Sequence, residues 1–242
     1  TGEILRTFTG HIDVVYYIYF SSNSSKFLSS SQDKIHKIWN TFNGNVINSF
    51  EGEIARFSSD ALGVFIVSGS IIKLFDPVSG ILLKTFNKIK NTEISSIAIS
   101  FDCKILASLS VSVVRVFDIN NEKVLFEKFF QSFEKMRSLT FSPNGLQILI
   151  VSDKFIKIWC LNSSNLLETI KNQTNIYSAS FSLNGDSIIS NDFQKDIIIW
   201  EKSSNERKMK RFSGHENSIY SIAVSPNGES FITGSKDSTI KC

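Results

Sequence analysis

Three side chains near the start of the chain could do hydrolytic chemistry: His11, Ser29 and Asp33. A carboxylate that orients an imidazole, which in turn takes a proton from a serine hydroxyl, is the relay that makes an alcohol nucleophilic. The same types can also serve as a structural hydrogen-bonded chain. The two uses differ in one testable respect: a catalytic set is normally unique in a chain, whereas a structural device can recur with its spacing intact.

The set recurs. Counting back from Trp39, Asp33 is at −6, Ser29 at −10 and His11 at −28. Counting back from position 243, one beyond the last residue, Asp237 is at −6, Thr233 at −10 and His215 at −28. Fragments survive elsewhere: Ser190 with Gln194 before Trp200, Ser108 with a shortened turn before Phe117, and Asp153 alone before Trp159. No Gly-x-Ser-x-Gly elbow accompanies Ser29.

The elements that must place these residues are also repeated. The stretch "IHKIW" ending at Trp39 returns as "IIKLF" at Phe75, "VVRVF" at Phe117, "FIKIW" at Trp159 and "IIIW" at Trp200, with spacings of 36, 42, 42 and 41. Upstream of each aromatic runs a strand ending in serine and a turn, as in "TFSPNGLQI" at 140–148 and "SFSLNGDSI" at 180–188. Downstream lies another strand, "NGNVINSF" at 43–50 and "SGILLKTF" at 79–86. Apolar and polar residues alternate, Ile72 and Leu74 facing in against Lys73 facing out, and no sustained 3.6-residue period appears. Four short strands per unit of about 42 residues predict an all-β fold of propeller blades.

The units "GHIDVVYYIYFSS" to "DKIHKIWN" and "GHENSIYSIAVSPNGESFITGSKDSTIKC" resemble the WD-repeat β-propeller family, over essentially the whole chain. Trp-Asp itself never occurs; the variants are Trp39-Asn40, Phe75-Asp76, Phe117-Asp118, Trp159-Cys160 and Trp200-Glu201. The resemblance implies one domain over 1–242 of four-stranded antiparallel blades. The units are about 9–50, 51–86, 87–129, 130–170, 171–212, and 213–242 completed by 1–8. Six blade-equivalents suit a six-bladed ring or a piece of a seven-bladed one. The missing Met and the stop before a core aromatic favour the piece. The resemblance also gives the His, Ser or Thr, Asp and Trp their role as a buried structural tetrad: His11, Ser29, Asp33 and Trp39, with His215, Thr233 and Asp237 as a second copy.

Composition excludes other chemistries. The 242 residues are 42% hydrophobic and 20% charged, with a net charge of only +3, which gives little pull on nucleic acid or an anionic membrane. No run approaches the roughly 18 apolar residues of a membrane helix. Three scattered cysteines favour a reducing, intracellular setting over a disulfide framework. No zinc-type Cys/His spacing and no phosphate-binding Gly-Lys-Ser/Thr motif occurs, so neither cofactor nor metal is expected. The basic stretches "ERKMKR" at 206–211 and "NKIKNT" at 87–92 read as an edge-strand guard and an exposed loop. The sequons at Asn23, Asn162 and Asn172 read as chance in an Asn- and Ser-rich chain.

What remains is a binding surface. Just after the first apolar residue of four first strands stand Tyr16, Arg137, Tyr177 and Tyr220. Tyr and Arg combine large contact area with polar reach and dominate protein interfaces. The resemblance puts this position near the loop face, with Asp13, Gln32, Glu216 and Lys236 on adjacent loops. The expectation is a non-catalytic scaffold that docks proteins or peptides as part of a larger polypeptide or complex. An RNA-binding propeller and a propeller hydrolase are the alternatives.

Overall fold

The structure is a computed structural model that describes residues 3–86, 93–130, 135–193, 195–203, 207–225 and 230–242, without the side chains of 223 and 224. The basic loop 87–92 and Gln194 lie outside the described residues. Every regular element among those described is a β-strand. The chain divides into two compact units, 1–94 and 95–242.

The first unit holds two sheets. One is β1 (Val15–Phe20), β2 (Lys26–Ser31), β3 (Ile35–Asn40) and β4 (Val46–Glu51). The other is β5 (Ile54–Phe57), β6 (Val64–Ser68), β7 (Ile71–Phe75) and β8 (Leu82–Phe86). The third sheet begins at the boundary with β9 (Ile94–Ile99) and continues with β10 (Ile105–Ser110), β11 (Val113–Asp118) and β12 (Val124–Phe129). The fourth is β13 (Met136–Phe141), β14 (Gln147–Ser152), β15 (Phe155–Cys160) and β16 (Leu166–Lys171). The fifth is β17 (Ile176–Phe181), β18 (Ser187–Asp192), β19 (Asp196–Lys202) and β20 (Arg207–Ser213). The sixth has β21 (Ile219–Val224), β22 (Phe231–Ser235) and β23 (Ile240–Lys241). Each is an antiparallel meander in chain order, and each is a propeller blade.

The sequence explains why strands two and three carry the core. Strands β2, β14 and β18 are buried on both faces after their first residue, because each lies between apolar neighbours. Outer strands such as β4 and β16 bury little. Blades pack face to face: Leu139, Phe141, Ile148, Ile150 and Trp159 of the fourth sit against Ala107, Val114, Val116 and Phe126 of the third. The fourth blade's other face, Leu149, Val151, Ile156 and Ile158, packs on Ile176, Ala179, Ile188 and Trp200. Each such aliphatic side chain contributes about 1.5–3 kcal/mol when fully buried.

The turns between first and second strands share one construction. A serine hydroxyl (Ser21, Ser58, Ser100, Ser142, Ser182) donates to the Asn or Asp two residues on, at 2.5–2.9 Å. The residue three after the serine takes positive φ. Gly145 and Gly185 do so freely, while Ser24, Ala61 and Cys103 do so with a side chain.

Among the described residues, 3–10 carry no strand and the sixth sheet shows three strands. The segment 3–10 is held on the first blade. Phe8 meets Phe27 edge-on at 4.7 Å and Trp39 at 5.7 Å, and Arg6 donates to the carbonyls of Phe42 and Asn43.

Candidate interaction face and the buried tetrads

The Ser-His-Asp set assembles as a relay. His11 Nδ1 lies 2.9 Å from Asp33 Oδ2, and His11 Nε2 lies 2.6 Å from Ser29 Oγ. An ionised carboxylate can only accept, so Nδ1 carries a proton. In the neutral ring Nε2 then accepts from the Ser29 hydroxyl. The Ser29 oxygen in turn accepts from Trp39 Nε1 at 2.7 Å. Ser29 is 3% exposed and closed over by the indole, so no substrate carbonyl can reach its oxygen. Geometry that would suit a nucleophile is committed to holding a tryptophan N–H.

Local structure puts each member there. Asp33 sits in the turn between β2 and β3 and accepts from the backbone N–H of Ile35 and Ile12 as well as from His11. Burial by itself would raise its pKa; those donors outweigh burial and hold it at about 2. Gly10 precedes the histidine because a Cβ there would stand 3.3 Å from Trp39 Cη2.

The second set repeats the relay in the sixth blade. His215 Nδ1 is 2.8 Å from Asp237 and Nε2 is 2.8 Å from Thr233 Oγ1. The Thr239 hydroxyl chiefly, with the His215 and Glu216 donors, holds the Asp237 carboxyl well below the usual range against the effect of burial. The fifth blade keeps one link, Trp200 Nε1 to Ser190 Oγ at 2.9 Å. Asn172 stands 28 residues before Trp200, where the other two blades have histidine. It begins a different network: Asn172 donates to Thr174, Thr174 to the buried Asp192, and Arg211 donates to Asp192 and Asp196. Nothing in the repeat pattern signalled that network. In the fourth blade Trp159 Nε1 has no partner among the described residues. The third histidine, His36, is fully buried with Nδ1 on Ser30 Oγ at 2.8 Å, and burial lowers its pKa.

The four first-strand positions share an unexpected backbone feature. Pairing with the second strand slips between Val15 and Tyr17, Met136 and Ser138, Ile176 and Ser178, and Ile219 and Ser221. Tyr16, Arg137, Tyr177 and Tyr220 are therefore each the extra residue of a β-bulge, the device by which a strand re-aims a side chain. The second blade pairs without a slip. Tyr16, Tyr177 and Tyr220 are 51%, 39% and 55% exposed; Arg137 is half-buried.

In the second unit three of these residues join. Tyr177 and Tyr220 have ring centroids 6.5 Å apart, Tyr177 meets Phe193 edge-on at 5.6 Å, and the Arg137 guanidinium lies 5.2 Å over the Phe193 ring. Asp153 fixes Arg137 through a 2.5 Å ion pair. Glu216 and Lys236 are exposed on loops beside β21 and β22. In the first unit Tyr16 donates to the Glu53 carbonyl, and exposed Asp13 and Gln32 flank it. Phe193 is the residue the sequence reading missed. It directly follows its second strand, as Gln32 and Lys236 follow theirs, and that shared position was the available signal.

Blades of this construction define a β-propeller protein. The family description "WD domain, G-beta repeat" matches residues 2–40, 128–160 and 206–242, and these repeats support membership of the WD-repeat family. It is similar to the transcriptional corepressor LEUNIG_HOMOLOG of Arabidopsis thaliana, 24% identical over 248 residues, covering 100% of this chain and 31% of that protein. It is also similar to eukaryotic translation initiation factor 3 subunit I of Culex quinquefasciatus, 22% identical, covering 99% and 83%. A third relative is pre-mRNA-processing factor 19 homolog 2 of Arabidopsis thaliana, 27% identical, covering 66% and 33%. The chain thus spans about a third of two of these three relatives.

Proposed function

We propose that this chain is an intracellular, non-catalytic scaffold that docks other proteins or peptides through its bulge-borne aromatic and arginine side chains. The observation that carries the reading is the exposed run Arg137–Phe193–Tyr177–Tyr220. Three blades contribute to it, and bulges turn three of its members out of their sheets. Rigid aromatic and arginine contacts lose little freedom on binding, which is why they become hot spots. Tyr16 with Asp13 and Gln32 offers the same chemistry in the first unit. Glu216 and Lys236 form the polar margin beside Tyr220. Relatives named as a corepressor, an initiation-factor subunit and a pre-mRNA-processing factor support assembly into larger complexes.

Nucleic-acid binding has less support. Three of the four cations of β20 are already engaged, Arg207 with Glu168, Lys210 with Glu201 and Arg211 with Asp192 and Asp196. A hydrolase reading has lost its nucleophile to the Ser29–Trp39 bond.

The test is affinity purification with the intact chain and with a Tyr177→Ala/Tyr220→Ala variant. Recovered partners should fall roughly tenfold or more in the variant, with the melting temperature unchanged. Equal recovery from both, or generic RNA binding that collapses with salt, would overturn the reading.

A further inference from the structure

The charges around the run Arg137–Phe193–Tyr177–Tyr220 are unbalanced. Asp153 accepts from Arg137 Nε at 2.5 Å, and the guanidinium lies over the Phe193 ring. The N–H groups on the two terminal nitrogens meet no acceptor among the described residues, although the side chain is fixed and half-buried. Four exposed lysines, Lys135, Lys154, Lys195 and Lys236, stand on separate loops beside the run. None of them forms an ion pair among the described residues. The nearby aspartates are already held, Asp153 by Arg137, Asp192 and Asp196 by Arg211, and Asp237 by His215. Among the described residues of these loops, Glu216 is the one exposed carboxylate without a cation.

Hydrogen bonds tie the loops into one surface. The Asp153 N–H donates to the Lys135 carbonyl, the Ile176 N–H to the Asp153 carbonyl and the Phe193 N–H to the Asn175 carbonyl. Asn191 Nδ2 reaches from the fifth blade to the Ile219 carbonyl of the sixth at 2.7 Å. The side chains are thus placed before a partner arrives, which lowers the entropic cost of docking.

Resting on the docking role proposed for the run, we infer that its partner is an acidic peptide segment in extended conformation. One carboxylate of that segment takes the terminal N–H fork of Arg137, and one aromatic side chain packs against Tyr177 and Tyr220. The fork suits a planar carboxylate. From Arg137 past Phe193 to the tyrosines is about four residues of extended chain at roughly 3.3 Å each, and an even spacing keeps both side chains on one side. Lysines spread over four loops match carboxylates spread along a chain. A phosphate dianion asks for cations that converge on one point, and the Asp153 charge beside the fork opposes it. RNA bases ask for open ring faces. Here Arg137 covers Phe193, and the Tyr177 ring is inclined at 67° to Phe193 and 51° to Tyr220.

Selection of random phage-displayed decapeptides against the intact 242-residue chain tests this. Selected peptides should carry Asp or Glu about four residues from Phe, Tyr or Trp, well above their frequency in the unselected library. Replacing those acids by Asn or Gln in the best peptide should weaken binding about tenfold or more, a comparison that needs no variant to fold. Arg137→Gln should weaken it as much. Glu216→Gln should tighten it about two- to fivefold, the effect of one exposed charge. Peptides without acidic enrichment, or no selected peptide at all, overturn the inference. So does equal binding to Arg137→Gln and to the unmutated chain. Tighter binding after the acids are replaced by phosphoserine, or displacement of the peptide by an equal concentration of oligouridine, overturns it as well. The docking role is judged by a separate arm, Tyr177→Ala/Tyr220→Ala, which should abolish selection. Neutral peptides from the unmutated chain and none from that variant would keep the docking face and reject the acidic partner. Undiminished selection by that variant would reject both.

Discussion

Trp39 and Trp159 occupy the same place in two blades, on β3 and β15, and are buried to the same degree, 3% and 7% exposed. Their surroundings differ. Two residues along the second strand from the partner of Trp39 stands Ser29, and at the same register from Trp159 stands Ile150. Trp39 N–H reaches an oxygen, a histidine and a carboxylate; Trp159 N–H reaches none among the described residues. Phe126 at 5.9 Å and the Lys128 ammonium at 4.6 Å attend the Trp159 ring instead. Apolar stacking is therefore what both blades require. The tetrad is an addition whose members depend on one another, since each buried polar atom needs the next.

The largest effect tests the shared part. Trp39→Ala and Trp159→Ala should each cost about 3–5 kcal/mol in denaturant unfolding, because both leave a large cavity between blades. The phenylalanine variants should separate the two sites. Trp39→Phe strands the Ser29 oxygen, whereas Trp159→Phe removes an N–H that had no acceptor. A cost at Trp159 as large as at Trp39 would refute the contrast.

Next in size is Ser29→Ala, which leaves the Trp39 N–H and His11 Nε2 unpaired at about 1–3 kcal/mol for each buried group. The reciprocal change gives Trp159 its acceptor. Ile150→Thr should be less destabilising than Ile66→Thr by about 1 kcal/mol. Ile66 holds the same register opposite Phe75, which has no N–H to offer. Thermal melts of the two variants decide it, and equal losses would show that Trp159 does not need the bond.

Acid should dissect the first blade in two windows. His36 has a lowered pKa, so between the unfolded value of about 6.5 and its folded value the unfolded chain binds more protons, and stability falls as pH falls. Asp33 is held at about 2 against an unfolded value of about 3.9, so its contribution is complete above pH 4 and lost as pH drops toward 2. Melting temperatures against pH should lose the upper slope in His36→Gln and part of the lower one in Asp33→Asn. Asp237, also lowered, adds to the lower window.

The sequence revealed what repeats at fixed offsets. Both relays and the bulge positions could be counted out because their spacing recurs. Counting fails where a turn changes length. From Trp159, ten residues back is Leu149, but the turn before β15 is one residue shorter, and the register partner is Ile150. The Asn172–Thr174–Asp192–Arg211 network was not visible because none of its bonds repeats in another blade. The strand-like composition of the first residues gave no sign that Phe8 and Arg6 would be anchored on the first blade, because the bonds of Arg6 repeat in no other unit among the described residues.

The smallest effect concerns what Trp159 has in place of an acceptor. Lys128 lies on β12, the outer strand of the third blade, and reaches across to the fourth. Its ammonium faces the negative face of the indole, an attraction of about 0.5–1 kcal/mol at a partly exposed site. Lys128→Met keeps the alkyl stem over the ring and removes only the charge, so packing is held constant. The variant should lose no more than about 1 kcal/mol. A double-mutant cycle with Trp159→Phe should show the loss shrinking, because the smaller ring is the poorer cation partner. A cycle with Trp39→Phe should show strict additivity, since Trp39 is held by Ser29 and two phenylalanines and not by Lys128. Coupling to Trp39, or none to Trp159, would mean that Lys128 acts through something other than the indole face.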